Sequence, residues 1–266
     1  MKFTDSRIFQ IALGFLVPIL LLGAWQYASV TGYAAPNLLP PLTRIYGTFT
    51  DLLASGELGD HLFITLYRVF AGFVAGLAVA LVLGILNGYF RFFRYLFDPM
   101  LQALRNIPSM AWVPLFILWL GIYETSKITL IAIGVFFPVY LNLLTGIINV
   151  DRKLIEVGWV HGYKGFRLIW HFFLPATLPS LVVGMRSGLS MGWMFVVAAE
   201  IMGASKGLGF LMTDGQTTGR PAIIMTSLIL FAIFGKLTDM GMVWIGSKLL
   251  YWQTDFGTGN DKARNG

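Results

Sequence analysis

The sequence predicts an all-α integral membrane protein with about six transmembrane helices, and three observations support this fold class. Of the 266 residues, 56% are hydrophobic and only 12% are charged, whereas a soluble domain has about 25% charged residues. The mean hydropathy is +0.72. The apolar residues also fall in long blocks, several of which reach the roughly 20 residues that a helix needs to cross a hydrocarbon core of about 30 Å.

The chain is predicted to form a single transmembrane domain over residues 1–266, with a polar, Gly-rich and disordered tail at 253–266. The first apolar block is too long for a signal-peptide core and has no small-residue cleavage site, so we expect it to be retained as a helix. The mixed stretch 30–60 is expected to be a loop with a short surface helix. The predicted spans are 8–29, 65–89, 101–121, 128–150, 181–202 and 223–249.

The distribution of Lys and Arg predicts how the chain is oriented in the membrane. With the N-terminus inside, eleven basic residues fall in the inside loops and tails. Four fall outside, namely Arg44, Lys127, Lys206 and Arg220. Both termini and the long loop 151–175 are therefore expected to be cytoplasmic.

Composition and residue spacing exclude several other classes of protein. The net charge of +6 does not indicate a nucleic-acid partner, because the basic residues lie in short loops rather than in a stripe with interleaved aromatic residues. The sequence contains no Cys, which excludes disulfides, thiolate metal sites and a Cys nucleophile. His61, His161 and His171 lack metal-ligand spacing, so no metal site is predicted.

No catalytic residue is predicted either. The segment 203–207 matches G-x-S-x-G, but it follows a predicted membrane helix, whereas a nucleophile elbow needs a strand–turn–helix in an α/β sheet. The sequence has no G-x-x-x-x-G-K-[ST] motif, so it lacks a phosphate-binding loop. ATP hydrolysis would therefore require a separate subunit.

The loop 151–175 carries the pattern that is most informative about function. It reads LIEVGWVHG over residues 154–162, and Leu174-Pro175 follows twelve residues after Gly162. We expect 152–160 to form a short helix, with Gly162 in the left-handed position just past its end. Pro175 suits the start of the next helix, and the small Gly158 would let another backbone approach closely.

This spacing resembles the EAA loop of ABC importer permeases, which has a Glu, two small residues, a Gly six residues after the Glu, and Leu-Pro twelve residues later. Glu156, Gly162, Leu174 and Pro175 fall on that spacing, while Val157 and Gly158 stand where the family has alanines. The resemblance implies a type I ABC importer-like permease fold. It also implies that a short coupling helix docks these residues into a groove on an ATPase; the alternative is an ordinary basic loop. The implied ATPase-coupling residues are Glu156, Val157, Gly158, Gly162, Leu174 and Pro175.

Further stretches are similar to the sulfonate, nitrate and taurine permease group, and most of all to aliphatic sulfonate permeases. The similarity implies a permease subunit of an ATP-driven importer for a small oxyanion, with an aliphatic sulfonate as the first expectation and nitrate or taurine as alternatives. An ion-coupled secondary transporter is the rival class, but it usually has a duplicated fold, and no repeat is evident. The matching stretches are 106–115, 135–140, 148–152, 174–180 and 235–239.

The resemblance also implies partners and a location. The pore would be formed with a second permease copy in the bacterial cytoplasmic (inner) membrane, in contact with membrane lipid. Two ABC ATPase subunits would bind ATP and Mg, so no cofactor is expected in this chain. A periplasmic or lipid-anchored binding protein would deliver the substrate.

The fifth predicted span suggests a wall of the translocation pathway. At 100° per residue, Arg186, Ser190, Trp193 and Glu200 share one face, and three glycines spaced by four residues lie on the opposite face. Intramembrane charges are costly and usually face a bundle interior or water. The alternative is that the two charged side chains reach the membrane surfaces.

Two other spans contribute pathway candidates. Pro108 and Pro114 are expected to interrupt the third span, and broken helices are tolerated where they line a cavity. The pathway candidates there are Asn106, Ser109 and Trp112, although a kinked packing helix would explain them equally well. Tyr140 in the fourth span is a further candidate, with core packing as its alternative, and Lys236 with Asp239 is expected to form an ion pair in the last span.

Overall fold

The computed structural model describes residues 7–33, 35 and 38–251, without the side chains of 7–12, 15 and 109. The tail 253–266, predicted to be disordered, lies outside the described residues. Every regular element within these ranges is helical, as predicted. A π-helical turn, Ile169–Phe173, joins α8 to α9. The helices are α1 (Arg7–Val30), α2 (Leu42–Ala54), α3 (Glu57–Tyr89), α4 (Arg91–Arg105), α5 (Ser109–Leu120), α6 (Glu124–Ile148), α7 (Arg152–Val160), α8 (Phe166–Leu168), α9 (Leu174–Ile201), α10 (Leu208–Thr217) and α11 (Pro221–Leu249).

Four helical stretches in the described ranges are long and apolar enough to cross a membrane, namely α3, α6, the continuous stretch Phe166–Ile201 and α11. Helices α4 and α5 pass the same test only as a pair, which would make a fifth span. In α1, Leu16–Val30 is apolar but shorter. These elements follow the order of the six predicted segments, although α3 begins earlier than predicted, at Glu57.

The third predicted span is not one straight helix. Helix α4 ends at Arg105 and α5 begins at Ser109, and the two are bent by 109°. Pro108 lies at this break and accounts for it, because a proline has no backbone N–H to donate to a continuing helix. Pro114 lies inside α5 without interrupting it. The prediction of a break is therefore confirmed at Pro108 and wrong at Pro114.

The centre of the fold is α6, which packs between α3 and α9. Its buried side chains form the main hydrophobic core, and Val135, Val139 and Leu143 have no exposed surface. Helix α9 runs antiparallel to α6, and Gly188 and Gly192 face it. A Cβ on Gly188 would lie 2.8 Å from Val139 Cγ2. The predicted role of the α9 glycines in close helix packing is thereby confirmed.

Helix α3 approaches the other side of α6 through glycines that the sequence analysis did not single out. They lie at Gly72, Gly76, Gly84 and Gly88, with Ala80 at the remaining four-residue step. A Cβ on Gly88 would lie 2.7 Å from Ile147 Cδ1, and one on Gly84 would lie 2.8 Å from Leu143 Cδ2. Such four-residue spacing of small residues lets two backbones approach closely within a membrane.

A second hydrophobic cluster lies at the end of the bundle opposite α7. It joins α2, the start of α3, α10 and the start of α11, and its buried members include Leu58, Leu208 and Ile223. The predicted short helix in 30–60 is α2, with Ile45 buried. Helix α10 was not predicted, because its sequence LGFLMTDGQT carries no clear apolar period.

We predict that Gly76→Ala destabilises the bundle, because the new methyl group would lie 2.9 Å from Val135 Cβ and against the backbone of Ala132. Overpacking of this kind costs about 1–3 kcal/mol. Thermal unfolding of the purified protein in detergent measures the effect. Gly59→Ala is the control, because it lies in the same helix with nothing within 4 Å of the added carbon, and it should be neutral or stabilising. Equal melting temperatures for the two variants would contradict the packing described here.

Candidate functional site

The short helix α7 spans 152–160, as predicted, and both of its ends are fixed by local chemistry. Asp151 caps its first turn, since a side-chain oxygen accepts a hydrogen bond from the Lys153 N–H at 2.9 Å. At the other end, Gly162 has φ = +80°. The Gly162 N–H donates to the Trp159 carbonyl at 2.9 Å and the Tyr163 N–H to the Gly158 carbonyl at 3.0 Å, which is a Schellman motif. The predicted left-handed Gly162 is confirmed.

Gly158 is the one predicted coupling residue on α7 that is buried. A Cβ at this position would lie 2.5 Å from Leu168 Cδ1 and 3.3 Å from Phe172. The expectation that Gly158 admits another backbone is therefore corrected, because side chains of the same chain cover it. Its small size lets α7 lie against α8 and the π-helical turn.

The opposite face of α7 is open. The exposed fractions are 48% for Val157, 54% for Trp159 and 84% for Val160. Glu156 is also exposed and forms an i,i+4 ion pair with Arg152 at 3.0 Å. Exposed apolar side chains beside charged ones are typical of a protein-docking surface. We call Val157, Trp159, Val160 and Glu156 the α7 surface.

Leu174 and Pro175 lie where the π-helical turn becomes α9. Pro175 is within the first two residues of α9, as predicted, and it is exposed, while Leu174 is half-buried. They are not part of the α7 surface. The helical stretch that begins at Phe166 instead packs on α7 through Leu168 and Phe172 and continues into the long α9, so displacement of α7 would act on that helix.

Of the predicted pathway residues, Arg186 and Ser190 line an open cavity of about 450 Å³ between α9 and α11. Arg186 makes a bidentate ion pair with Asp239, at 2.5 Å for Nε–Oδ1 and 2.9 Å for Nη2–Oδ2. The expected ion pair of Lys236 and Asp239 is present but longer, at 3.6 Å. Sequence reasoning missed the partnership of Arg186 with Asp239, because the two residues are 53 positions apart.

Trp193 and the candidates of the third span do not line the cavity beside Arg186. Trp193 is 8% exposed, and its Nε1 donates to Thr238 Oγ1 at 2.8 Å. Asn106 lines a second cavity, of about 430 Å³, between the α4–α5 break, α6 and α9. Trp112 is half-buried and stacks on Phe116, and the side chain of Ser109 lies outside the description. The structure therefore brings Arg186 and Ser190 together but not Asn106.

Tyr140 lines neither of these two cavities. It is 1% exposed, and its hydroxyl donates to Asp98 Oδ1 and accepts from Asn87 Nδ2, at 2.8 Å in each case. Its pathway assignment is corrected to that of a core residue that links α3, α4 and α6. A phenol that is buried needs such partners, because an unpaired hydroxyl is costly to desolvate.

Glu200 does not face an open path either, since it is 1% exposed. Its carboxylate accepts from Arg68 Nη1 at 2.8 Å, from Thr65 Oγ1 at 2.8 Å and from the Gly209 N–H at 2.8 Å. Arg68 also makes a bidentate pair with Glu124, at 2.7 Å for both contacts. The pathway assignment of Glu200 is therefore corrected. It ties α9 to α3 and to the start of α10, where a negative charge complements the helix dipole.

Residues 72–250 match the family model described as "Binding-protein-dependent transport system inner membrane component". The chain belongs to this family. It is thus a membrane-embedded permease component of an ABC importer, and its sequence carries no phosphate-binding loop of its own.

Named relatives of this permease cover nearly its whole length. SsuC of Bacillus subtilis (strain 168), named for aliphatic sulfonates transport, is 41% identical over 91% of this chain and 88% of its own. SsuC of Escherichia coli (strain K12), with the same designation, is 37% identical over 89% and 90%. TauC of Escherichia coli (strain K12), named for taurine transport, is 29% identical over 93% of this chain and 91% of its own. NrtB of Synechocystis sp., named for nitrate import, is 32% identical over 85% of each chain.

A solved structure shows the same fold. A chain of the MetNI methionine ABC transporter in an inward-facing conformation matches 76% of this permease and 98% of its own length, with a TM-score of 0.60 and 20% identity. The predicted permease fold is confirmed.

The buried carboxylate of Glu200 yields a prediction about stability. Glu200→Gln should destabilise the permease by about 3 kcal/mol or more, because the amide –NH2 would oppose N–H and O–H donors and leave Arg68 with one anionic partner in place of two. Glu156→Gln is the matched control, because its ion pair is exposed and worth little. Unfolding midpoints in detergent compare the two variants. A Glu200→Gln protein as stable as Glu156→Gln would show that the network is not a structural tie.

Proposed function

We propose that this permease imports a small oxyanion, and an aliphatic sulfonate in the first place. It would act as a pair of copies in the bacterial cytoplasmic membrane, with two ATPase subunits that bind ATP and Mg and a binding protein that delivers the substrate. The observation that carries the proposal is the α7 surface, an exposed apolar and acidic patch on a short helix that the fold holds at one end of the bundle. The high identity to the two SsuC relatives supports the substrate.

The α7 surface is suited to transmit a movement because its helix is linked to two long helices of the bundle. It follows α6 after three residues, and Gly158 packs on Leu168 and Phe172, which belong to the helical stretch that continues into α9. A displacement of α7 by an ATPase would therefore be passed to α6 and α9, which pack on each other along most of their length. With both termini cytoplasmic, as the charge distribution predicts, α7 would face the ATPase side of the membrane.

Nitrate and taurine are the second candidates for the substrate. Uptake measured with the permease together with the ATPase and binding protein of its own organism, in vesicles loaded with ATP, separates the three. We expect ATP-dependent uptake of radiolabelled ethanesulfonate and little uptake of nitrate or taurine. Preferential uptake of nitrate or taurine, or uptake of ethanesulfonate that persists without ATP, would contradict the proposal.

The same uptake measurement tests the coupling role of α7. Gly162→Val should lose most uptake, because a β-branched residue is strongly disfavoured at φ = +80° and the turn after α7 would be displaced. Glu156→Lys should lose it because the variant reverses a charge on the α7 surface. Binding-protein-stimulated ATP hydrolysis should fall with uptake, or the ATPase subunits should be lost on purification.

Both variants should still insert and reach wild-type expression, since the altered side chains are exposed. Lys164→Gln is the control, because its side chain is also exposed in the same loop but outside α7, and it should transport normally. If Gly162→Val and Glu156→Lys both keep uptake and ATP turnover within about twofold of wild type, the loop is passive.

A further inference from the structure

Arg186 and Asp239 form a partly exposed ion pair near the middle of α9. Arg186 lies twelve residues after Leu174 and fifteen before Ile201, or about 18 Å and 22 Å along the helix at 1.5 Å per residue. Its side chain is 53% exposed, and that of Asp239 is 21% exposed. A guanidinium at this depth is costly in lipid, and such groups face a bundle interior, a water-filled cavity or a ligand.

The cavity beside Arg186 offers further polar groups. Ser187, Ser190 and Ser247 also line it. Ser190 donates its proton to the Arg186 carbonyl at 3.1 Å and Ser247 to the Trp244 carbonyl at 2.8 Å, so each helps to hold the wall. In the described part of the chain the Ser187 hydroxyl has no hydrogen-bond partner, which leaves its proton for a ligand oxygen.

Arg186 is the charged residue that lines the cavity, and the charges linked to it favour an anion. Arg186 and Lys236 together carry two positive charges against the single negative charge of Asp239, and Asp239 Oδ2 lies 3.6 Å from Lys236 Nζ. An arriving oxyanion can therefore accept hydrogen bonds from the two parallel N–H groups of Arg186, which match the spacing of two oxygens on one anionic group. Asp239 would then remain paired with Lys236, so the exchange leaves no carboxylate without a partner.

The remaining lining of the cavity is apolar. Val182, Val183, Met242 and Val243 surround the polar groups, and the volume of about 450 Å³ lies within the range of small-molecule sites, about 300–1,000 Å³. A ligand with an anionic head and a short apolar tail would match both the polar and the apolar parts of this lining. Nitrate has no tail to bury, and the ammonium group of taurine would meet a cluster of net positive charge.

We propose that Arg186 and Ser187 form an anion-binding site within the permease itself, for an oxyanion that carries a short alkyl group. Asp239 acts as the competing counter-ion, which occupies Arg186 when the site is empty and limits how tightly the anion is held. The proposal rests on the proposed function and adds to it a selective step inside the membrane, after release from the binding protein.

The two members of the ion pair provide the test, because the site and a purely structural pair predict different signs. The probe is radiolabelled ethanesulfonate, measured by equilibrium dialysis on the purified permease–ATPase complex without binding protein or ATP. Arg186→Gln should weaken binding at least about tenfold, since a bidentate charged contact is lost, and Arg186→Lys should restore part of it. Asp239→Asn should tighten binding at least about threefold, because the competing charge is removed.

Matched controls separate this site from general charge effects. Arg44→Gln removes an exposed arginine of α2, which does not line the cavity. This variant should bind the probe as the wild type does. Ethyl methyl sulfone, which is neutral, and nitrate should each bind more weakly than ethanesulfonate. If Arg186→Gln and Asp239→Asn change binding in the same direction, or if neither changes it, Arg186 and Asp239 form only a structural pair and the proposal is wrong.

The uptake experiment distinguishes a failure of the proposed function from a failure of the anion-binding site. If the wild-type complex does not import ethanesulfonate at all, the proposed function fails. If the wild type imports it while Arg186→Gln imports and binds it equally well, only the anion site is refuted. Should Arg186→Gln not assemble, Asp239→Asn alone decides, because tighter binding supports the site and unchanged or weaker binding overturns it.

Discussion

The close contact of α6 with both α3 and α9 is the constraint on which the rest of this structure depends. Between membrane helices there is little hydrophobic driving force, so dispersion contacts at short distance have to hold them together. Glycines on α3 and α9 provide that distance, and the side chains of α6 fill the space, with Val135 and Val139 fully buried. Helix α3 therefore lies parallel to α6 and α9 antiparallel to it in one fixed register.

That register places a structural network and the α7 surface at opposite ends of the same three helices. At one end, Arg68 of α3 meets Glu124 of α6 and Glu200 of α9 in a buried network. At the other, α7 lies in the connection between α6 and the stretch that becomes α9. Arg186 lies between these ends on the face of α9 turned away from α6, where the glycine contacts leave the opposite wall free to line a cavity.

Sequence patterns predicted the features that depend on local chemistry. The bounds of α7, the left-handed Gly162 and the break at Pro108 follow from capping, backbone conformation and the missing proline N–H, and all three are confirmed. The α3 glycines were visible as a four-residue period but were overlooked. Their signal was as clear as that of the α9 glycines.

The assignments that failed depend on contacts between distant residues. On a helical wheel Glu200 shares a face with Arg186, but the wheel does not show that Arg68, 132 residues earlier, reaches Glu200. Tyr140 likewise could not be separated from a pathway residue until Asp98 and Asn87 were found beside it. Period and spacing identify which face a residue occupies, and only the packing decides whether that face meets protein or water.

The central claim is that the α7 surface is where the ATPase docks, and site-specific cross-linking tests it most directly. The chain has no native Cys, so a single Cys at Val160, which is 84% exposed, can carry a photoreactive cross-linker without other labelled positions. A Cys at Thr217, at the end of α10 and therefore at the opposite end of the bundle, is the comparison. In the assembled complex we predict an adduct of permease and ATPase from position 160 and none from position 217. An adduct from position 217, or none from position 160 in a complex that hydrolyses ATP, would contradict the account.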